Sequence, residues 1–227
     1  MTEHTDTRES LLDAAESLFS VHGIQAASLR QITQHAGANL AAVNYHFGSK
    51  DGLVRAVFSR RLRPMNEERF RQLELVDLEA EDAVEQILTA FLEPLLRLVS
   101  EKPQGVRGFA RLMGRAWSEP SEEVRTIILE EIRETIDRFM AAFRQVLPHL
   151  TEDELMWRFH FLGGAMGHTV SCSYVLERYS GGSCHTTDPD EILDQLVRFL
   201  AAGMRAVSQV KAPGKSAGQS AGQKRTE

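Results

Sequence analysis

The chain has 227 residues, 42% apolar and 26% charged, with a net charge of −6. Those values fit a packed globular protein and exclude a largely unfolded one; no apolar run approaches the roughly 18 residues of a membrane-spanning helix. Two cysteines, Cys172 and Cys184, are too few for a disulfide scaffold, and the polar start Met1-Thr-Glu-His-Thr-Asp6 lacks a signal-peptide pattern, so a cytoplasmic protein is expected.

Apolar residues recur at helical spacing almost throughout, and strand-like alternation is nearly absent, which predicts an all-α fold. The first helix is expected over about 7–22, with Leu11, Leu12, Ala15, Leu18 and Phe19 as its buried stripe and Gly23 as its stop. Ser28 and Gln31 form a capping box for a short helix ended by Gly37. Asn39 caps a second short helix over about 40–46, anchored by Val43 and Phe47. Ser49 opens a longer helix that Pro64 can bend or interrupt.

Longer helices follow over about 80–101, 106–117, 121–147, 152–179 and 188–209. Pro94 predicts a kink in the first of these. Thr151 with Glu154 is a second capping box, and Asp188-Pro189 with Glu191 is a strong helix start. The expected total is about nine helices, in an N-terminal domain over 1–48, a connecting helix over 49–65 and a second domain over 66–210. The repeat Ser216-Ala-Gly-Gln219, Ser220-Ala-Gly-Gln223 lies in a tail over 211–227 with no large apolar residue, expected to be disordered.

Two short helices joined by a Gly-containing turn suit a helix-turn-helix. Its second helix must present a small or polar outer face to enter the major groove of duplex DNA. Leu40, Ala41 and Ala42 leave room for base edges and thymine methyls, and Asn44 can hydrogen-bond a base or a phosphate. Tyr45 and His46 offer polar tips to phosphate oxygens. Lys50, at the start of the next helix, adds charge to its N–H groups, and Arg30 and the Ser28 hydroxyl flank them. The acidic net charge does not oppose this. Residues 1–65 hold 7 Lys/Arg against 6 Asp/Glu, and residues 28–63 hold Arg30, Lys50, Arg55, Arg60, Arg61 and Arg63 against Asp51 alone.

At these residues the chain resembles the DNA-binding domain of the TetR family of repressors. The resemblance is carried by Leu12-Asp-Ala-Ala-Glu-Ser-Leu-Phe19, Gly23, Ser28-Leu-Arg-Gln-Ile32, Ala36-Gly37, Asn44-Tyr-His-Phe47 and Gly48-Ser-Lys-Asp-Gly-Leu53. It implies DNA contacts at Ser28, Arg30, Asn39, Ala42, Asn44, Tyr45, His46 and Lys50; family members often carry Tyr where this chain has Asn44. It also implies a homodimer built from the last two helices, here about 152–179 and 188–209. Gly163, Gly164, Ala165, Gly167 and Ser171 on the first of them permit close helix contact.

An effector pocket is expected among the helices of about 80–180, lined by Phe91, Leu95, Phe109, Met113, Trp117, Phe143, Trp157, Phe161 and His168. So apolar a set favours a lipophilic effector. Asn39–Lys50, Phe109–Gly114, Trp157–Leu162 and Ala201–Arg205 resemble the TetR branch that responds to long-chain fatty acids or their CoA esters, which implies an acyl chain whose head meets Arg111 or Arg115. A metal- or thiol-responsive alternative rests on His168, Cys172, Cys184 and His185. No phosphate loop or nucleophile elbow points to an enzyme, and no cofactor is expected.

Overall fold

The computed structural model describes residues 2–101, 109, 112, 113 and 121–207. Among them the chain forms eight helices: α1 (Thr2–His22), α2 (Leu29–His35), α3 (Leu40–Phe47), α4 (Lys50–Leu73), α5 (Ala83–Glu101), α6 (Glu122–Val146), α7 (Glu152–Tyr179) and α8 (Pro189–Arg205). Phe109, Leu112 and Met113 are helical too. Most of the segment expected over 106–117, and the tail over 211–227, lie outside the described residues. No described helix is long and apolar enough to cross a membrane.

The helix starts follow their caps. Ser28 and Gln31 form the reciprocal box at α2, and Thr151 and Glu154 form another at α7. The side chains of Asn39 and Ser49 accept from Ala42 N–H and Gly52 N–H at α3 and α4. Asp188 caps α8 ahead of Pro189. One helix is irregular within: Cys172 in α7 has φ −126° and ψ 16°.

Two hydrophobic cores result. In the first, α1 to α4 bury Leu11, Leu12, Phe19, Ile32, Val43, Leu53 and Phe58. The same core continues into Leu95, Phe109, Leu112, Val124, Ile127 and Ile128. In the second, α5 to α8 enclose Ile87, Leu88, Leu92, Phe139, Phe143, Leu162, Leu196 and Leu200. α5 packs along α8, and α4 packs along α6.

The first core thus draws on residues on both sides of positions 48 and 65. α4 runs unbroken through Pro64 to Leu73. Pro64 is exposed, and the N–H it lacks would have bonded the Arg60 carbonyl on the turn before, so the helix loses one bond and keeps its stripe.

The joint between α3 and α4 is tight. Gly48 has φ +75°, a left-handed conformation that suits glycine, and its N–H bonds Asn44 O at 3.0 Å. Four residues on, a Cβ at Gly52 would stand 2.0 Å from the Phe47 carbonyl oxygen. Backbone against backbone leaves no flexible atom to yield. Gly52→Ala is predicted to cost about 1–3 kcal/mol, read as a melting-temperature fall of several degrees by circular dichroism. An unchanged melting temperature would contradict the close packing of this joint.

Candidate nucleic-acid interface

α2 and α3 cross over α1 around the Ala36-Gly37-Ala38 turn, where Ala38 N–H reaches back to Thr33 O at 2.9 Å. Ile32 and Val43 are fully buried between these helices. That burial sets the rotation of α3 and turns Leu40, Ala41, Asn44 and Tyr45 outward; Leu40 is 51% and Tyr45 76% exposed. Ala42 and His46 are half-buried at its edges. The Tyr45 and His46 rings meet edge to face, 4.9 Å apart.

The neighbouring polar groups have defined roles. Asn39 accepts Ala42 N–H at 2.9 Å through Oδ1, which leaves its amide N–H groups as the outward donors. Lys50 donates from Nζ to Gln25 O at 3.1 Å, a bond that holds its ammonium at the junction of the α1–α2 loop and the start of α4. Arg30 is exposed on α2. Ser28 serves the α2 cap. Its hydroxyl donates to Gln31 Oε1 at 2.7 Å, so its one hydrogen is spent inside the cap.

The broad basic surface expected over 28–63 is narrower than its residue count suggests. Arg60 pairs with Glu9, Asp13 and Glu16, and Arg61 with Glu16, tying α4 to α1. Arg55 pairs with Glu130 and Glu131 of α6. Hydrogen bonds to Glu130 and Glu131 raise the Arg55 pKa above the ordinary value. For Arg60 the bonds to Glu16 and Asp13 outweigh the desolvation that alone would lower it. Of the cations over 28–63, Arg30 and Lys50 remain beside α3, and Arg8 of α1 lies over the Phe47 ring, 5.6 Å from its centre.

The expected effector-pocket residues divide into three groups. Phe91, Leu95, Phe109 and Phe143 are buried, and Met113 is half-buried. Phe91 meets Phe139 at 5.0 Å and Phe159 at 5.4 Å, and Phe143 meets Phe159 at 6.5 Å, all edge to face. Arg111, Arg115 and Trp117 lie outside the described residues. Trp157, Phe161 and His168 do not line an interior pocket. They are exposed on the outer face of α7, Trp157 and Phe161 each at 61%. The helix turns Leu155 and Leu162 into the core in their place.

Two open clefts lie elsewhere, along α4 and α6. One of about 400 Å³ is lined by Arg63, Asn66, Glu67, Phe70, Glu130, Glu131 and Glu134. The other, about 430 Å³, is lined by Asp51, Gly52, Arg55, Glu122, Glu123, Thr126 and Ile127. Both are rich in acids, unlike the apolar pocket expected. Among the described residues no three His, Cys, Asp or Glu side chains converge on a metal-holding group. Cys172 and Cys184 are free thiols.

A helix-turn-helix carried on the first long helix of an all-helical second unit defines a class of DNA-binding regulators. Residues 11–57 match bacterial regulatory proteins of the tetR family, and residues 89–203 match the tetracyclin repressor-like C-terminal domain. The chain belongs to the tetR family. It is similar to the HTH-type transcriptional regulator SrpR of Pseudomonas putida, 29% identical over 155 residues, 67% of this chain and 65% of that protein. It is also similar to the HTH-type nicotine-responsive transcriptional repressor HdnoR of Paenarthrobacter nicotinovorans, 40% identical over 60 residues, 26% of this chain and 31% of that protein. The chain thus spans less than two thirds of the length of these relatives.

Among solved structures, the transcriptional regulator FadR from Bacillus subtilis in complex with stearoyl-CoA has a TM-score of 0.63 at 12% identity, over 86% of this chain and 98% of that one. A SmeT–triclosan complex has a TM-score of 0.59 at 21% identity, over 91% and 98%. At these identities the likeness is one of fold.

The α1–α4 tie gives a direct test. Glu16 is 7% exposed and faces both Arg60 and Arg61. Glu16→Ala leaves two part-buried guanidinium groups without it and is predicted to lower stability by about 2 kcal/mol. Urea unfolding measures this, and a change under about 0.5 kcal/mol would contradict the tie.

Proposed function

We propose that the protein is a dimeric transcriptional repressor in the cytoplasm, which reads duplex DNA with α3 and leaves it when a lipophilic effector enters the second core. The outward face of α3 carries the DNA reading. Leu40 and Ala41 can approach thymine methyls, Asn44 can bond a base edge or phosphate, and Tyr45, His46, Arg30 and Lys50 surround them with groups suited to the backbone.

An exposed apolar face supports the dimer. On α7 it runs through Met156, Trp157, Phe161, Gly164, Gly167, His168 and Ser171, and Phe199 of α8, 73% exposed, adds to it. Large apolar groups at this spacing seldom stay in water, and the glycines let a second helix pair come close. A two-fold dimer would repeat α3 at about 34–36 Å, so the operator is expected to be palindromic with half-sites one turn apart.

The lipophilic effector is favoured by the aromatic interior, where Phe91, Phe139, Phe143 and Phe159 pack around the same space. In the closed form those rings fill it, so an effector must part them. It acts by binding the parted, DNA-incompetent form more tightly than the closed one. A fatty acid or acyl-CoA suits the apolar lining.

Two experiments test this. Operators selected from random duplex DNA by the full-length protein are expected to be palindromic. On them Asn44→Ala and Lys50→Ala are each predicted to weaken binding about tenfold, and Lys50→Ala to lower the salt slope by about 1 per half-site. Unchanged affinity and slope would remove α3 and Lys50 from the interface. Trp157→Glu is predicted to give monomers in sedimentation; a dimer of wild-type strength would place the interface elsewhere.

A further inference from the structure

Arg69 occupies a position that its helix otherwise reserves for apolar side chains. Phe58, Leu62 and Met65 form the buried stripe of α4 at intervals of four and three residues, and Arg69 is the next step, four residues on. It is 4% exposed, and among the described residues no other Lys, Arg or His is buried.

Among the described residues its partners are neutral. Nε donates to Phe91 O at 2.8 Å, Nη1 to Asn66 Oδ1 at 3.2 Å and Nη2 to Met166 Sδ at 3.5 Å. The guanidinium carbon lies 4.3 Å from the centre of the Phe91 ring. A guanidinium has five N–H donors, and one of the three used here meets only a thioether, a weak acceptor. Burial pulls the Arg69 pKa down to about 9, with no carboxylate to oppose it; the group is still a cation at neutral pH.

The contrast with the surface is sharp. Arg55, Arg97, Arg144 and Arg205 all face carboxylates where water already solvates them. The one described arginine taken out of water has none. A buried charge without a counter-charge is costly, and an apolar residue of similar size would be the stable choice. The neutral acceptors and the Phe91 ring offset part of that cost, and an anion at the guanidinium would offset more.

We propose that Arg69 receives the carboxylate of the effector, which is a free acid with an apolar body lying against Phe91, Phe139 and Phe159. This rests on the reading of the second core as a lipophile site. Arginine's planar fork matches a carboxylate, and a single buried cation matches a single negative charge. A CoA ester would bring several charges to a place with one cation. The acidic cleft does not deliver the ligand: Asn66 and Phe70 line it, whereas Arg69 sits on the stripe facing α5 and Met166 of α7. Because Arg69 and Lys50 share α4, neutralising Arg69 acts on the same rigid helix that supports α3.

Calorimetry on the full-length protein at pH 8 tests this with decanoate, 1-decanol and decanoyl-CoA. Wild type is expected to bind decanoate about tenfold more tightly than decanol and more tightly than decanoyl-CoA. Arg69→Met is expected to bind decanoate and decanol alike. Arg69→Lys, which keeps the charge but loses the fork, is expected to lose part of the preference and carries the test if Arg69→Met does not fold. Equal binding of decanoate and decanol by wild type, or a preference unchanged in the variants, overturns the role of Arg69 while the lipophile reading stands. Tighter binding of decanoyl-CoA overturns the single-carboxylate assignment. Binding of none of the three overturns the lipophile reading and this assignment with it.

Discussion

Everything in this protein hangs on one stiff helix that is buried at both ends. The N-terminal half of α4 supplies Leu53, Val54, Val57 and Phe58 to the core that holds α1, α2 and α3. Its C-terminal half carries Arg69, Phe70 and Leu73 to the helices of the second core. A helix of this kind does not stretch, so a shift at one end is felt at the other unless the packing gives way. Contact between Gly52 and the Phe47 carbonyl removes the slack at the α3 joint.

Charge is used in this fold as mortar more than as bait for DNA. Arg60 and Arg61 fasten α4 to α1 through Glu16, and Arg55 fastens it to α6 through Glu130 and Glu131. Arg205 pairs with Glu85, joining the end of α8 to α5. Much of the basic content near α3 is therefore matched locally and does not add up to a broad positive surface. Shape and hydrogen bonding then matter more there than a broad positive field.

The interior shows the same economy of space. Aromatic rings fill the centre of the second core, and the outward face of α7 exposes Trp157 and Phe161. Arg69 is the buried cation of the described residues, held by backbone, amide and thioether groups.

Local chemistry was legible residue by residue. The caps at Ser28, Asn39, Ser49, Thr151 and Asp188 announced their helices because each satisfies N–H groups within three residues of itself. The resemblance over residues 8–58 marked the helix-turn-helix for the same reason, since its turns and caps are local. Sequence alone thus determined where these capped helices start and which residues of α3 face outward. Tertiary structure alone decided that Pro64 interrupts nothing, that Arg55, Arg60 and Arg61 serve packing, that Trp157, Phe161 and His168 point outward, and that Arg69 is buried with no counter-charge among the described residues. Those facts depend on which helices meet across tens of residues, and helical spacing, which is the same for a core stripe, a pocket wall and a docking face, does not encode that choice.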